Sequence, residues 1–91
     1  MISKGKKKGA IRFAIQANGA KKVEVAGSFS GWKPVAMRKN AIGEFVKNEP
    51  LGPGTHEYKF LVDGQWVTDP DHGEYAMNPY GTMNSVVRVE E

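Results

Sequence analysis

From Ala10 onward apolar and polar residues alternate with a period of two. That is the spacing of strands with one face in a core and the other in water, and it excludes the 3.6-residue repeat of an amphipathic helix. Ile11, Phe13 and Ile15 alternate with Arg12, Ala14 and Gln16, and Val23 and Val25 with Lys22, Glu24 and Ala26. Glu44-Phe45-Val46-Lys47 is a shorter run. His56, Tyr58, Phe60 and Val62 form one face of a longer run, with Glu57, Lys59 and Leu61 on the other; Val87 and Val89 share a face of the last run, opposite Val86 and Arg88. Asn18-Gly19 marks a turn. Asp63-Gly64 marks a tight hairpin, because glycine adopts positive φ without steric cost. Gly52-Pro53-Gly54 interrupts the chain before the Tyr58 run. Eleven glycines and five prolines spread between short strands suit an all-β sandwich and leave no segment for a helix of ordinary length. The expected fold is an antiparallel sandwich of about seven or eight strands, with Ile11, Phe13, Ile15, Val23, Val25, Tyr58, Phe60, Val62 and Val87 inward. Thr68–Thr82 reads as one long loop of about 15 residues, a length that is unusual in a compact domain and often functional.

The 91 residues support one domain. Without cysteine, neither a disulfide nor a thiolate metal site can staple it. There is no apolar run long enough to span a membrane. The basic N-terminus is not followed by the apolar segment of a secretory signal, so a cytoplasmic location is the expectation. The net charge of +3 is unevenly placed. Setting aside Lys4, Lys6, Lys7 and Lys8 leaves nine basic against ten acidic side chains. The body is therefore near neutral and lacks the basic face a nucleic-acid reader needs. Residues 1–9 are expected to be a mobile Lys/Gly-rich tail, and residues 10–91 the domain.

The carboxylates Asp63, Asp69, Asp71 and Glu74 cluster near the long loop. A glycosidase needs two carboxyls at a set separation, one of them with a raised pKa. Here Asp63 is used by a turn, and Asp69 and Asp71 flank Pro70 in a segment that reads as exposed, so all are taken as turn and solubility residues. Asp69, Asp71 and His72 match no metal-ligand spacing. His56 sits inside a strand pattern and is read as structural. Gly27-Ser28-Phe29-Ser30-Gly31-Trp32 lacks the glycine spacing and following helix of a phosphate loop, and no nucleophile elbow is present. No catalytic residue, metal or cofactor is expected.

The two tryptophans stand at polar, turn-rich positions. Trp32 follows a Gly/Ser segment, and Trp66 lies just beyond the Asp63-Gly64 turn. An exposed indole offers a flat apolar face to the C–H face of a pyranose, while neighbouring polar groups bond its hydroxyls. The pattern alone leaves open whether the two rings are such platforms or core.

Three ordered segments resemble a known family. They are Val25-Ala26-Gly27-Ser28-Phe29-Ser30-Gly31-Trp32, then Pro53–Trp66 (P-G-T-H-E-Y-K-F-L-V-D-G-Q-W) followed by Asp69-Pro70, and Tyr80-Gly81-Thr82-Met83-Asn84-Ser85. The chain is similar to carbohydrate-binding module family 48, typified by the glycogen-binding domain of the AMP-activated protein kinase β subunit. Roughly residues 10 to 90 are covered. The resemblance implies an immunoglobulin-like, early-set antiparallel β-sandwich that binds an α-1,4-glucan such as glycogen, starch or a malto-oligosaccharide, without catalysis. It implies stacking by Trp32 and Trp66 and sugar hydrogen bonds from Lys59, Thr82 and Asn84. Tyr80 stands where kinase-type members place a leucine, and would either stack on sugar or fill the groove. Ser30-Gly31 replaces an Asn-Asn pair. Members beside catalytic barrels have often lost the sugar-binding residues, and retention of both tryptophans and Lys59 argues against that here. The second reading is a regulatory domain that docks on or recruits a glycogen-metabolising or other partner enzyme.

Overall fold

The computed structural model describes residues 2–4, 10–70 and 72–89. Ten strands are formed among them: β1 (Ile2–Lys4), β2 (Ala10–Gln16), β3 (Val23–Gly27), β4 (Val35–Ala36), β5 (Arg38–Lys39), β6 (Glu44–Pro50), β7 (Gly54–Val62), β8 (Gln65–Val67), β9 (Tyr75–Met77) and β10 (Met83–Val89). They build two antiparallel sheets. One has the order β1-β2-β6-β5; the other has the order β4-β3-β7-β10-β9, with β8 also paired to β7. The all-β antiparallel sandwich expected from the alternation is the fold. The additional strands are short pieces of two or three residues.

The core lies between the sheets. Phe13 and Ile15 from β2 and Phe45 from β6 meet Val23 and Val25 from β3, Tyr58 and Phe60 from β7, and Val87 from β10. Tyr58 is edge-on to both Phe13 (centroids 4.9 Å apart) and Phe60 (5.7 Å), the geometry that ring quadrupoles favour. Of the residues expected inward, Val62 is only half-buried, packed against the margin of this cluster. On the outer face of β7, Leu61 is buried although the alternation turns it away from the core; it stands between Glu24 of β3 and Trp66 of β8 as direct cross-strand neighbours.

Asp63-Gly64 joins β7 to β8 as a two-residue turn with φ of 49° and 83°, the doubly positive pair that a type I′ hairpin requires. The Asp63 carboxylate also accepts the backbone N–H groups of Lys21 (3.0 Å) and Lys22 (2.9 Å), which ties this hairpin to the start of β3.

Three expectations need correcting. Residues 1–9 are not all tail: Ile2–Lys4 forms β1, paired to β2 with Ile2 opposite Phe13, and Ile2 packs against the core. The surrounding lysines obscured this brief apolar signal. Residues 1 and 5–9 lie outside the described residues. The stretch Thr68–Thr82 is not a single loop, because β9 pairs with β10 through Met77 opposite Met83. Asp69 is not an exposed turn residue. It is fully buried, accepts the Tyr58 hydroxyl at 2.7 Å, and its own N–H donates to Ser85 Oγ at 2.8 Å. Tyr58 of β7 and Ser85 of β10 thus converge on a residue that a flanking proline made look superficial. Asp71 lies outside the described residues.

Candidate functional site

The outer face of the larger sheet carries the site. Period two sends Glu57 and Lys59 of β7 outward, opposite in direction to Tyr58 and Phe60. Tyr58 is paired with Ser85 of β10 and Glu57 with Val86, so Asn84 lies on the outer face one step from Lys59 and reaches diagonally to Glu57. The β7–β8 hairpin sets Trp66 directly across from Leu61 on that same face.

Trp32 reaches the face from the other side. After β3, residues Ser28–Ser30 make one 3-10 turn. Phe29 anchors it, stacking on Phe13 with centroids 5.5 Å apart. Ser30 Oγ accepts the Gly27 N–H at 3.2 Å, and the Trp32 N–H closes the turn on the Gly27 carbonyl at 2.9 Å. Gly31 and Trp32 both have φ of 63°. That conformation is routine for glycine and uncommon for an aromatic residue. Backbone in this region is retained where surrounding structure over-determines it, often at binding sites. Gly27 is required for a different reason: a Cβ there would lie 2.4 Å from both the Glu57 carbonyl oxygen and Phe29 Cε2.

Between the two tryptophans runs a groove of about 770 Å³, and all six residues expected at a site line it: Trp32, Lys59, Trp66, Tyr80, Thr82 and Asn84. The rings are accessible, with Trp32 38%, Trp66 51% and Tyr80 90% exposed. The question the pattern left open is therefore answered for placement: both indoles are at the surface. Tyr80 projects outward from its turn and does not fill the groove.

The polar residues are joined in one chain. Lys59 Nζ donates to Thr82 Oγ1 (3.0 Å). Asn78 Nδ2 donates to Thr82 Oγ1 (2.6 Å) and to Asn84 Oδ1 (3.0 Å). Asn84 Nδ2 in turn donates to Glu57 Oε1 (3.0 Å). Asn84, which the resemblance makes a sugar contact, is largely buried and has part of its capacity spent on this chain. Asn78 is spent entirely, because its Oδ1 accepts the N–H groups of Tyr80 (3.0 Å) and Thr82 (3.1 Å). It fixes the closing turn and the orientation of both neighbours. Sequence reasoning missed four lining residues, Ser28, Glu57, Asn78 and Pro79. Glu57 was available from period two, two residues before Lys59 on one strand face. Asn78 carried no signal beyond being a turn-type residue.

The candidate acid groups do not converge. Asp63 serves a turn and Asp69 a buried bond. Glu74 pairs with Arg88 at 2.6 Å, which holds its carboxyl below the usual range. His56 Nε2 donates to the Gly52 carbonyl (2.8 Å) and His72 Nε2 to that of Val86 (2.6 Å). Among the described residues, no three His, Asp or Glu side chains are grouped to hold a metal ion. No helix there is long and apolar enough to cross a membrane.

The family model for the glycogen recognition site of AMP-activated protein kinase matches residues 11–91. This chain belongs to that family. It is 37% identical over 73 residues to the β-1 subunit of 5'-AMP-activated protein kinase from Sus scrofa, a match covering 80% of this chain and 58% of that sequence. It is 36% identical over 75 residues to the β-2 subunit from Mus musculus, covering 82% of this chain and 27% of that one. The chain therefore spans only part of the length of these relatives. Among solved structures, the maltogenic amylase from S. marinus shares the fold with a TM-score of 0.77 and 25% identity, over 90% of this chain and 14% of the amylase. The domain is thus an early-set sandwich of the glycogen recognition family, which is a family of recognition domains and not of catalytic ones.

Proposed function

We propose that the domain holds an α-1,4-glucan, as glycogen, starch or malto-oligosaccharide, in the groove between Trp32 and Trp66. The two indoles stack on glucose rings, and Tyr80 adds a third ring at the mouth. Lys59, Thr82 and Asn84 bond the hydroxyls between them. The observation that carries this reading is the gathering of three exposed rings around one chain of oriented polar groups. An apolar wall with a few fixed donors and acceptors is what a sugar with C–H faces and an equatorial rim of hydroxyls needs. Lys59 uses one of its three donors and Thr82 keeps its O–H, so capacity remains for a ligand.

The domain recognises its glucan without transforming it, in the cytoplasm where glycogen is stored. A second reading is favoured by the comparisons, in which related domains lie within a kinase subunit and an amylase. In that reading the domain also docks on a partner enzyme and brings it to the glucan. Co-sedimentation with glycogen tests the first reading. Wild type pellets with glycogen at low and at high salt, because a neutral sugar offers no charge to screen. A variant with Lys6, Lys7 and Lys8 changed to Gln pellets equally well. Loss of binding in high salt or in that variant would move the binding site away from the groove.

A further inference from the structure

Resting on the glucan reading, we propose that Glu57 is a direct sugar ligand: an acceptor two residues before Lys59 on the same face of β7 that takes hydrogen bonds from glucose hydroxyls. Donors alone do not satisfy a glucan, since every hydroxyl hydrogen taken from water needs an acceptor as well. The supply of acceptors here is short. Asn78 Oδ1 is filled by two backbone N–H groups. Thr82 Oγ1 already accepts from both Lys59 and Asn78. Asn84 Oδ1 accepts from Asn78. Lys59 has none to offer. Glu57 supplies most of the missing capacity: it lines the groove, and its carboxylate accepts from Asn84 at Oε1.

Its place is firmly set. The Glu57 N–H donates to Ser28 Oγ at 3.1 Å, and its backbone pairs with Val86. The bond from Asn84 fixes the carboxylate plane. Lys59 is two residues along the same strand, so their Cα atoms stand roughly 6.5–7 Å apart, a separation that brackets one glucose ring. A donor-only ammonium and an acceptor-only carboxylate then address opposite sides of one sugar. Bonds from hydroxyls to an ionised carboxylate are shorter and stronger than neutral ones.

The test uses calorimetry with maltoheptaose on wild type and on Glu57→Gln and Glu57→Ala, with thermal melts alongside. Glu57→Gln keeps the shape and an oxygen for Asn84 but replaces the second acceptor with an NH2 group. It is expected to bind about five- to tenfold more weakly with its melting temperature unchanged, and Glu57→Ala more weakly still. A panel of mono-deoxy maltotrioses separates direct contact from an effect passed through Asn84. At least one deoxy ligand should lose affinity in wild type and show no further loss in Glu57→Gln, because the missing hydroxyl and missing acceptor are partners. Unchanged maltoheptaose affinity in Glu57→Gln, or full additivity across the panel, overturns the assignment of Glu57 while leaving the glucan site standing. Absence of binding by wild type overturns the glucan reading itself.

Discussion

Tyr58→Phe tests the buried hydrogen bonding that the Tyr58 hydroxyl makes with Asp69 and Ser85. The ring is held edge-on by Phe13 and Phe60, and the change keeps those contacts while deleting the hydroxyl that donates to Asp69 Oδ2 at 2.7 Å. Both residues are fully buried. Burial and the neighbouring Asp69 carboxylate push the Tyr58 hydroxyl far above its ordinary pKa, so it acts as a donor at every working pH. Removing one partner of a buried bond costs the desolvation of the group left behind, ~2 kcal/mol here. In a domain of this size that lowers the melting temperature by roughly 8–16 °C. Tyr75→Phe is the control. Its hydroxyl donates to the Asp69 carbonyl at a longer 3.2 Å from a residue 42% exposed, where water replaces the bond, and the expected shift is a few degrees at most. Circular-dichroism melts of the two variants decide the matter. Equal small shifts would show that the Tyr58–Asp69 bond does not tie the β8–β9 connection to the core.

Trp32→Ala and Trp66→Ala are each expected to weaken malto-oligosaccharide binding by about 1–3 kcal/mol, as removal of an aromatic anchor does, in calorimetry on protein whose circular-dichroism spectrum stays native; unfolding of either variant would make that ring structural. Gly27→Ala is expected to lose at least about 1–3 kcal/mol in urea unfolding, because its methyl has no room beside Glu57 and Phe29. Glu44 is held below its ordinary carboxylate value, first by the hydrogen bond from Arg12 at 2.9 Å. Its contribution is therefore present above the unfolded value near 4.5 and lost as pH falls through the lower folded one. Melts taken between about pH 6 and pH 3 should show a smaller acid loss in Arg12→Leu than in wild type.

The alternation located the sheets because it reports which side of a strand is dry. Eight of the nine residues it placed inward are buried, with Val62 at the margin. It failed where local pattern and tertiary contact disagree. Ile2 sits among lysines, yet pairs opposite Phe13. β9 is three residues long and depends on β10 for its existence, so nothing within Tyr75–Met77 announces it. Asp69 reads as polar punctuation before Pro70, and only the approach of Tyr58 and Ser85 makes it interior. For the site, the tryptophans were visible as aromatics in turns, and their motifs carried the resemblance. Asn78 was not visible, because its role is to orient Thr82 and Asn84 and that exists only once the closing turn is folded.

The central claim is that the Trp32–Trp66 groove binds α-linked glucose, and calorimetry of the wild-type domain with maltoheptaose and with cellohexaose tests it most directly. A shallow groove with a few stacking contacts retains little surplus after ordering its ligand, so the expected dissociation constant for maltoheptaose is on the order of 10 μM to 1 mM, with no measurable heat from the β-linked chain. Equal affinity for the two sugars, or no binding of maltoheptaose, would contradict it.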